Sequence, residues 1–358
     1  MFNRYRDYVS LWSMDALPMK RRNYWHYILI AASTTLNAIL LYNLFFGSRR
    51  LEPLENYQKL NIQPLLDAAS VNHVISSEHA VVTAMYTDTY ATAIATLGHS
   101  LNKVNTTARR ILLYLPDKVS ARALCIASST GFDPLPISRI DPPHGGKGIY
   151  KRFIDQYSKL NLWTLDQHDV KSAVYLDADT LVLQNFDELF SLPYSFAAVP
   201  DIFVDSRGFT LGFNAGVLVM RPSTEVFIDM CAKLSEADFP LHNAEQAFLN
   251  QYFAADTVRL PYVYNANLAI KQRSPKVWED VWAKARIVHY TTVKPFIDDA
   301  HPESEVNFHH LRKLLSSKLG QQRGLFDQEL EAWAEAWRDT RRLYGDLFAT
   351  CARGGAGR

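Results

Sequence analysis

From Asn23 to Ser48 the chain carries no Asp, Glu, Lys or Arg, and the centre of that stretch, Tyr27 to Phe46, is mostly apolar, interrupted by Ser33-Thr34-Thr35, Asn37 and Asn43. It is long enough to span a bilayer, which takes about 20 helical residues. Farther on, strand-like runs alternate with helix-spaced ones. Ala80–Met85 reads as a strand, Tyr90–Leu101 as a helix, and Arg110–Leu115 as a second strand stopped by Pro116-Asp117, which together make a βαβ unit. Val119–Ser128 then reads as a helix, Pro134–Arg139 as a short third strand, and Phe153–Leu165 as a helix ahead of the strand at Ala173–Leu176. This order predicts a doubly wound parallel sheet. Phe213–Met220 is a further strand, entered through a small polar turn at Asn214-Ala215-Gly216. Ser223–Leu234 and a segment starting at Asn243 are helical, Arg286–Tyr290 is a last strand, and Val306–Leu319 and Phe326–Phe348 have amphipathic helical spacing. Pro142–Gly148 reads as a flexible loop whose glycines fit neither a P-loop nor a dinucleotide fingerprint.

Charge decides the orientation of the apolar stretch. Lys20-Arg21-Arg22 precede it, with Arg4 and Arg6 beyond, and Tyr24, Trp25 and Tyr27 form an aromatic belt at its start; Arg49 and Arg50 at the far end leave only a modest asymmetry. The expectation is a type II anchor: a cytoplasmic tail over 1–24, a transmembrane signal anchor over 25–48, a stem over 49–78, a catalytic domain over 79–300 and a helical extension over 301–358. Everything after the anchor would be luminal. Asn105-Thr106-Thr107 is an N-glycosylation sequon in a loop, in keeping with that placement. A net charge of +1 over 358 residues gives no electrostatic case for nucleic acid, and the three cysteines, Cys125, Cys231 and Cys351, form neither a zinc spacing nor a readable disulfide framework. Nothing in the sequence indicates an oligomeric state.

The chemistry centres on Leu176-Asp177-Ala178-Asp179, where a run of strand formers ends in two acids one residue apart. In an open α/β sheet the C-terminal edge of the strands is where ligands bind. Two carboxylates this close repel, whereas a hard divalent cation takes both as ligands and bridges to phosphate. A metal-bound phosphate or nucleotide follows as the first expectation.

Several blocks in order give the chain a wider resemblance. His79-Ala-Val-Val-Thr83 with Asp88 and Tyr90, Leu97-Gly98-His-Ser100-Leu101, Tyr157-Ser-Lys159-Leu160 with Trp163, Leu176-Asp177-Ala-Asp179-Thr-Leu-Val-Leu183, Phe213-Asn214-Ala215-Gly216-Val217, Glu245-Gln246, Leu260-Pro261 with Tyr264-Asn265, and His289 through Lys294-Pro295 resemble glycosyltransferase family 8, the glycogenin-like retaining transferases. That resemblance implies a GT-A fold, a mixed and mainly parallel sheet flanked by helices. It also implies that Asp177, Asp179 and His289 hold Mn²⁺ or Mg²⁺, that Lys294 meets the diphosphate, and that Ala84, Met85, Tyr86, Thr87 and Tyr90 hold uridine, with a tyrosine ring stacked on the base. Ala178, Asn214, Ala215 and Gly216 would line the donor, Glu245, Gln246 and Asn214 would face the sugar, and Lys159 would contact sugar or phosphates. The implied activity is transfer of a hexose-type sugar from a UDP-sugar to a glycan, glycolipid or glycoprotein in the Golgi lumen.

Departures from the pattern bear on what else to expect. His289-Tyr-Thr-Thr-Val-Lys294 is one residue shorter than the glycogenin segment and lacks its glycine, and Phe296 stands where that group has tryptophan. Asn265-Ala-Asn-Leu-Ala-Ile-Lys-Gln272 offers no tyrosine for self-glucosylation, so the acceptor is expected to be a separate molecule. Two other readings fit parts of the sequence. Val174-Tyr-Leu-Asp177-Ala-Asp179-Thr-Leu also matches the nucleophile motif of haloacid-dehalogenase-like phosphatases, with Asp298-Asp299 as a poor stand-in for their metal acids. A membrane-anchored scaffold without turnover is the other.

Overall fold

The computed structural model describes residues 19–45, 62–71, 76–302 and 308–354. The chain divides into two units, residues 1–53 and 54–358. Of the first, the described part is one helix, α1 (Met19–Phe45). Its stretch Tyr24–Leu44 is long and apolar enough, by length and composition, to cross a membrane, and none of it is buried. At about 1.5 Å per residue those 21 residues reach about 31 Å, close to the thickness of a hydrocarbon core. The Thr34 and Thr35 hydroxyls donate to Ile30 O and Ala31 O at 2.9 and 2.8 Å, so they present no unsatisfied donor. Residues 46–48, the end of the expected span, lie outside the described residues.

The second unit is a three-layer α/β assembly. Its strands are β1 (His79–Met85), β2 (Arg109–Tyr114), β3 (Asp133–Pro136), β4 (Ser172–Leu176), β5 (Thr180–Val182), β6 (Phe196–Ile202), β7 (Phe209–Met220), β8 (Val258–Arg259), β9 (Ala266–Asn267) and β10 (Ile287–His289). Seven of them form one sheet in the order β3-β2-β1-β4-β7-β6-β8, and β5-β10-β9 form a second. β3 through β4 run parallel, but β7 is antiparallel to both β4 and β6. The sheet is therefore mixed and mainly parallel rather than doubly wound throughout.

β1 is buried along its whole length between β2 and β4, which is why its sequence reads as a continuous apolar run. Its side chains still alternate between faces. Val81 and Met85 join the core with Leu97, Ile126 and Trp333, whereas Ala80, Val82 and Ala84 join Tyr157, Trp163 and Phe248. The first face is covered by α3 (Ala91–Lys103), α4 (Ala121–Ser128) and the long C-terminal helix; the second by the helical segment Lys151–His168, α5 (Thr224–Leu234) and α6 (Ala244–Tyr252). Ahead of the sheet lies α2 (Gln63–Val71), within the expected stem. After it come α7 (Leu268–Arg273), α8 (Pro275–Trp282), α9 (Phe308–Lys318) and α10 (Asp327–Gly354).

Three local expectations change. The helix expected over Phe153–Leu165 is a longer segment, Lys151–His168, wound with the tighter i→i+3 pitch. β3 is shorter than expected and pairs only with β2, as its two prolines, which cannot donate to a ladder, require of an edge strand. Asn214-Ala215-Gly216 is not an entry turn but lies inside β7, where the register against β6 slips from Ala198↔Leu218 to Pro200↔Phe213. That bulge fits extra β7 residues into the pairing and turns them toward the sheet edge.

The cysteines also resolve. Cys125 of α4 and Cys351 of α10 form a disulfide across 226 residues, and Cys231 is free. α10 presents Leu330, Trp333, Trp337, Phe348 and Cys351 at helical spacing to the core.

Candidate active site

The geometry of the site starts from backbone pairing. β4 ends at Leu176, and Asp177 N donates to Gly216 O of β7 at 2.8 Å; Thr180 N and Oγ1 then both donate back to Asp177 O, closing a tight turn around Ala178. The chain re-enters as β5, and β10 lies antiparallel to it with His289 opposite Thr180. Tyr290 N donates to Asp179 O at 3.0 Å, which completes the tie. One ligand atom each from Asp177, Asp179 and His289 consequently lies within 4.8 Å of the others. The His289 Nε2 is 3.3 Å from Asp179 Oδ1 and 3.9 Å from Asp177 Oδ2.

A second ring of groups fixes which His289 nitrogen faces the acids. The Asn265 amide donates through Nδ2 to Asn214 Oδ1 at 3.0 Å, which leaves its Oδ1 turned to His289 Nδ1, also at 3.0 Å. A carbonyl oxygen only accepts, so Nδ1 carries a proton and Nε2 is the ring nitrogen that faces the carboxylates. Two carboxylate oxygens and one imidazole nitrogen in such a cluster suit a hard or borderline divalent cation with positions left for a ligand. The donor set fits the metal the sequence implied.

Two ammonium groups hold the outer oxygens. Lys294 Nζ pairs with Asp179 Oδ2. Burial alone would raise the Asp179 carboxyl, but Lys294 and His289 outweigh it and hold it well below the usual carboxylate range. Burial would likewise lower Lys294, and Asp179 reverses that. On the other side, Lys159 Nζ is 2.7 Å from Glu245 Oε1, 3.2 Å from Asp177 Oδ1 and 3.2 Å from Ala215 O. Lys159 and Glu245 are each only 2% exposed, so neither charge is screened by water. Burial pulls Lys159 down, yet Asp177 and Glu245 together drive it above its ordinary value; burial pushes Glu245 up, with Lys159 opposing. Tyr175 Oη donates to Asp177 Oδ1 at 2.7 Å, and its ring lies 4.9 Å beneath Lys159.

The residues expected to face the sugar form a network of their own. Asn214 Nδ2 donates to Asp201 Oδ1 and Gln246 Oε1, Ala215 N donates to Gln246 Oε1, and Gln246 Nε2 donates to Asp201 Oδ2 at 2.9 Å. Burial raises Asp201, with the Ile202 amide, Gln246 and Asn214 opposing. Ala244, buried at the start of α6, has φ 49° and ψ −138°, a conformation suited to glycine, and it turns Glu245 and Gln246 inward. Gly216 is equally constrained. A Cβ there would stand 2.1 Å from His289 Cε1, so only glycine lets the imidazole lie against β7.

Ala84 and Met85 end β1 beside the end of β4, Tyr86 and Thr87 follow in the turn, and Tyr90 closes the next helical turn. Thus the expected uridine group shares an edge with the acids. Tyr90 sits edge-on to Phe296 at 5.4 Å. The Tyr86 hydroxyl is instead buried, with no partner among the described residues; burial first, then Glu245 and Asp177, raise it. The residues the sequence left without a role are Asn265, Asp201 and Tyr175. Asn265 stood in a quoted block, Leu260-Pro261 with Tyr264-Asn265, but the polar chain to His289 has no sequence signal.

A family model described as glycosyl transferase family 8 matches residues 149–300. Galactinol synthase 1 of Solanum lycopersicum is 30% identical over 220 residues, which covers 56% of this chain and 67% of that protein. The chain belongs to glycosyltransferase family 8. Its sheet, with β7 reversed against the parallel half, is a GT-A fold. Glycogenin-1 of Caenorhabditis elegans is 30% identical over 250 residues, 66% of this chain, and the chain spans about half of that relative's length, 54%. UDP-glucuronate:xylan alpha-glucuronosyltransferase 2 of Arabidopsis thaliana is 31% identical over 175 residues, 49% of this chain and 27% of the relative. The acids Asp298 and Asp299, which a phosphatase would need at the metal, pair instead with His301 and Lys318.

Proposed function

We propose that this family 8 glycosyltransferase moves a hexose-type sugar from a UDP-sugar, with a divalent cation and with retention of configuration, to a glycan, glycolipid or glycoprotein acceptor. The observation that carries the reading is the convergence of Asp177, Asp179 and His289 beside Lys294 and the buried Lys159–Glu245 pair on one sheet edge. Mn²⁺ or Mg²⁺ held there would neutralise the diphosphate leaving group. Lys294 would add its charge to the same oxygens and release Asp179 to the cation. Ala84, Met85, Tyr86, Thr87 and Tyr90 would hold uridine, with a tyrosine ring stacked on the base. Gln246 keeps one amide N–H without a partner among the described residues and would donate it to a sugar hydroxyl, oriented by Asp201 and Asn214. Lys159 holds the Glu245 carboxylate in place, where it would stabilise positive charge at the anomeric carbon. The name of the Arabidopsis relative, a UDP-glucuronate-dependent alpha-transferase, supports the donor class.

For the whole chain we propose a cytoplasmic tail (1–24), anchor (25–48), stem (49–78), catalytic domain (79–300) and helical extension (301–358), with all beyond the anchor in the Golgi lumen. α1 supports the anchor by length and composition. The Cys125–Cys351 disulfide supports an oxidising compartment, since cytosolic thiols are kept reduced. The test is thermal denaturation of the detergent-solubilised chain with each of several UDP-sugars, with and without Mn²⁺, beside Asp179→Asn. Stabilisation needing both metal and one UDP-sugar, lost in the variant, is the expected result. No shift with any nucleotide would overturn the reading.

A further inference from the structure

Asn105-Thr106-Thr107 is the chain's only Asn-Xaa-Ser/Thr sequence, and the transferase site makes no use of it. α3 leaves the catalytic edge after β1 and returns to the opposite edge, and Asn105 sits there, between α3 and the start of β2. Its φ of 54° places it in the left-handed region that asparagine tolerates better than most residues. The next two residues are clamped: the Thr106 hydroxyl donates to Asp187 Oδ1, and Thr107 N and Oγ1 donate to Asp187 Oδ2 at 3.1 and 3.3 Å. Asn105 itself is exposed, and its side-chain amide has no hydrogen-bond partner among the described residues. The folded turn therefore tolerates a bulky substituent on that nitrogen.

We propose that Asn105 is an N-glycosylation site, an inference that rests on the luminal half of the proposed function and not on its transferase half. The amide nitrogen bonds to the anomeric carbon of a lipid-linked oligosaccharide, the bond from that carbon to the lipid diphosphate breaks, and the amide loses one proton. The attached glycan leaves from the edge opposite the Asp177–Asp179–His289 cluster, so the donor site stays open. Because Asn105 holds a left-handed turn, loss of the glycan and loss of the turn need separate variants.

The test is expression of the full chain in a eukaryotic secretory host, followed by amide-cleaving endoglycosidase and gel mobility. Four chains are compared: the natural one, Asn105→Gly, which keeps the turn, Thr107→Ser, which keeps the sequon, and a control carrying Asp205→Asn with Arg207→Thr in the exposed β6–β7 hairpin. The expected result is an endoglycosidase-sensitive shift of one glycan in the natural and Thr107→Ser chains, none with Asn105→Gly, and two in the control. A shift only at the engineered hairpin site overturns the Asn105 assignment while leaving the luminal placement standing. No shift in any chain overturns both.

Discussion

The amide oxygen of Asn265 meets Nδ1 of His289 at 3.0 Å while its nitrogen is spent on Asn214, so one side chain sets the tautomer of a candidate metal ligand. Ligand-orienting partners of this kind typically change metal affinity about 10–100-fold when removed. Asn265→Leu, similar in size but without an acceptor, should weaken Mn²⁺ binding by that factor in an EPR titration and shift the imidazole ¹⁵N resonances away from the Nδ1–H form. Asn265→Asp, which keeps an acceptor, should retain most of the affinity. Equal affinities in all three proteins would refute the tautomer assignment.

Gly216 supports the same histidine from below. In Gly216→Ala the new methyl must displace either the His289 ring or the β7 backbone. The expected outcome is a native-like circular dichroism spectrum with Mn²⁺ affinity and turnover both lost. A variant that binds metal as the natural chain does would show that the imidazole has room to move.

Ala244 makes the opposite prediction. A non-glycine residue at φ 49°, ψ −138° costs about 1–3 kcal/mol, and glycine gives back about 0.5–1 kcal/mol through the freedom of its unfolded chain. Ala244→Gly should thus stabilise the protein by about 1 kcal/mol, or about 1–2 °C at this size, with turnover unchanged. A lower melting temperature would mean that the strain is relieved by contacts of the methyl group.

His99, on α3 against α10, is buried with both ring nitrogens unpartnered among the described residues, and Tyr344 stands edge-on at 5.9 Å. Burial depresses it, with Asp339 opposing and Lys103 and Arg342 reinforcing. The unfolded chain therefore takes up a proton near pH 6.5 that the folded chain refuses, so stability is full above that pH and falls as pH drops toward the folded value. Melting temperature should decline as pH falls below about 6.5, and His99→Phe should flatten the decline. His79, also buried and depressed first by burial, should leave a residual slope. An identical slope in His99→Phe would remove this histidine from the account.

What could be read from the sequence, and what could not, divides by the range of the interaction. β1, β4 and the Asp177–Asp179 turn were legible because strands buried on both faces write an uninterrupted apolar run, and the acids mark where it stops. His289, Lys294, Lys159 and Glu245 were legible only through the resemblance, since each alone is an ordinary histidine, lysine or helix-start acid. Asn214 was misplaced in a turn because the bulge that carries it depends on register with β6, a partner chosen by tertiary structure. The Cys125–Cys351 bond left no local trace, as no spacing rule reaches across 226 residues.

That bond has a consequence for how the enzyme is made. Every residue of the candidate metal cluster, from Asp177 to His289, lies inside the covalent ring that Cys125 and Cys351 close. A chain emerging in order of synthesis can pair β1 with β2 early, but the ring is sealed only after α10 has been delivered to α4. Until then the candidate active site sits on an open chain, so the step that sets the bond is also the step that closes the loop carrying the site.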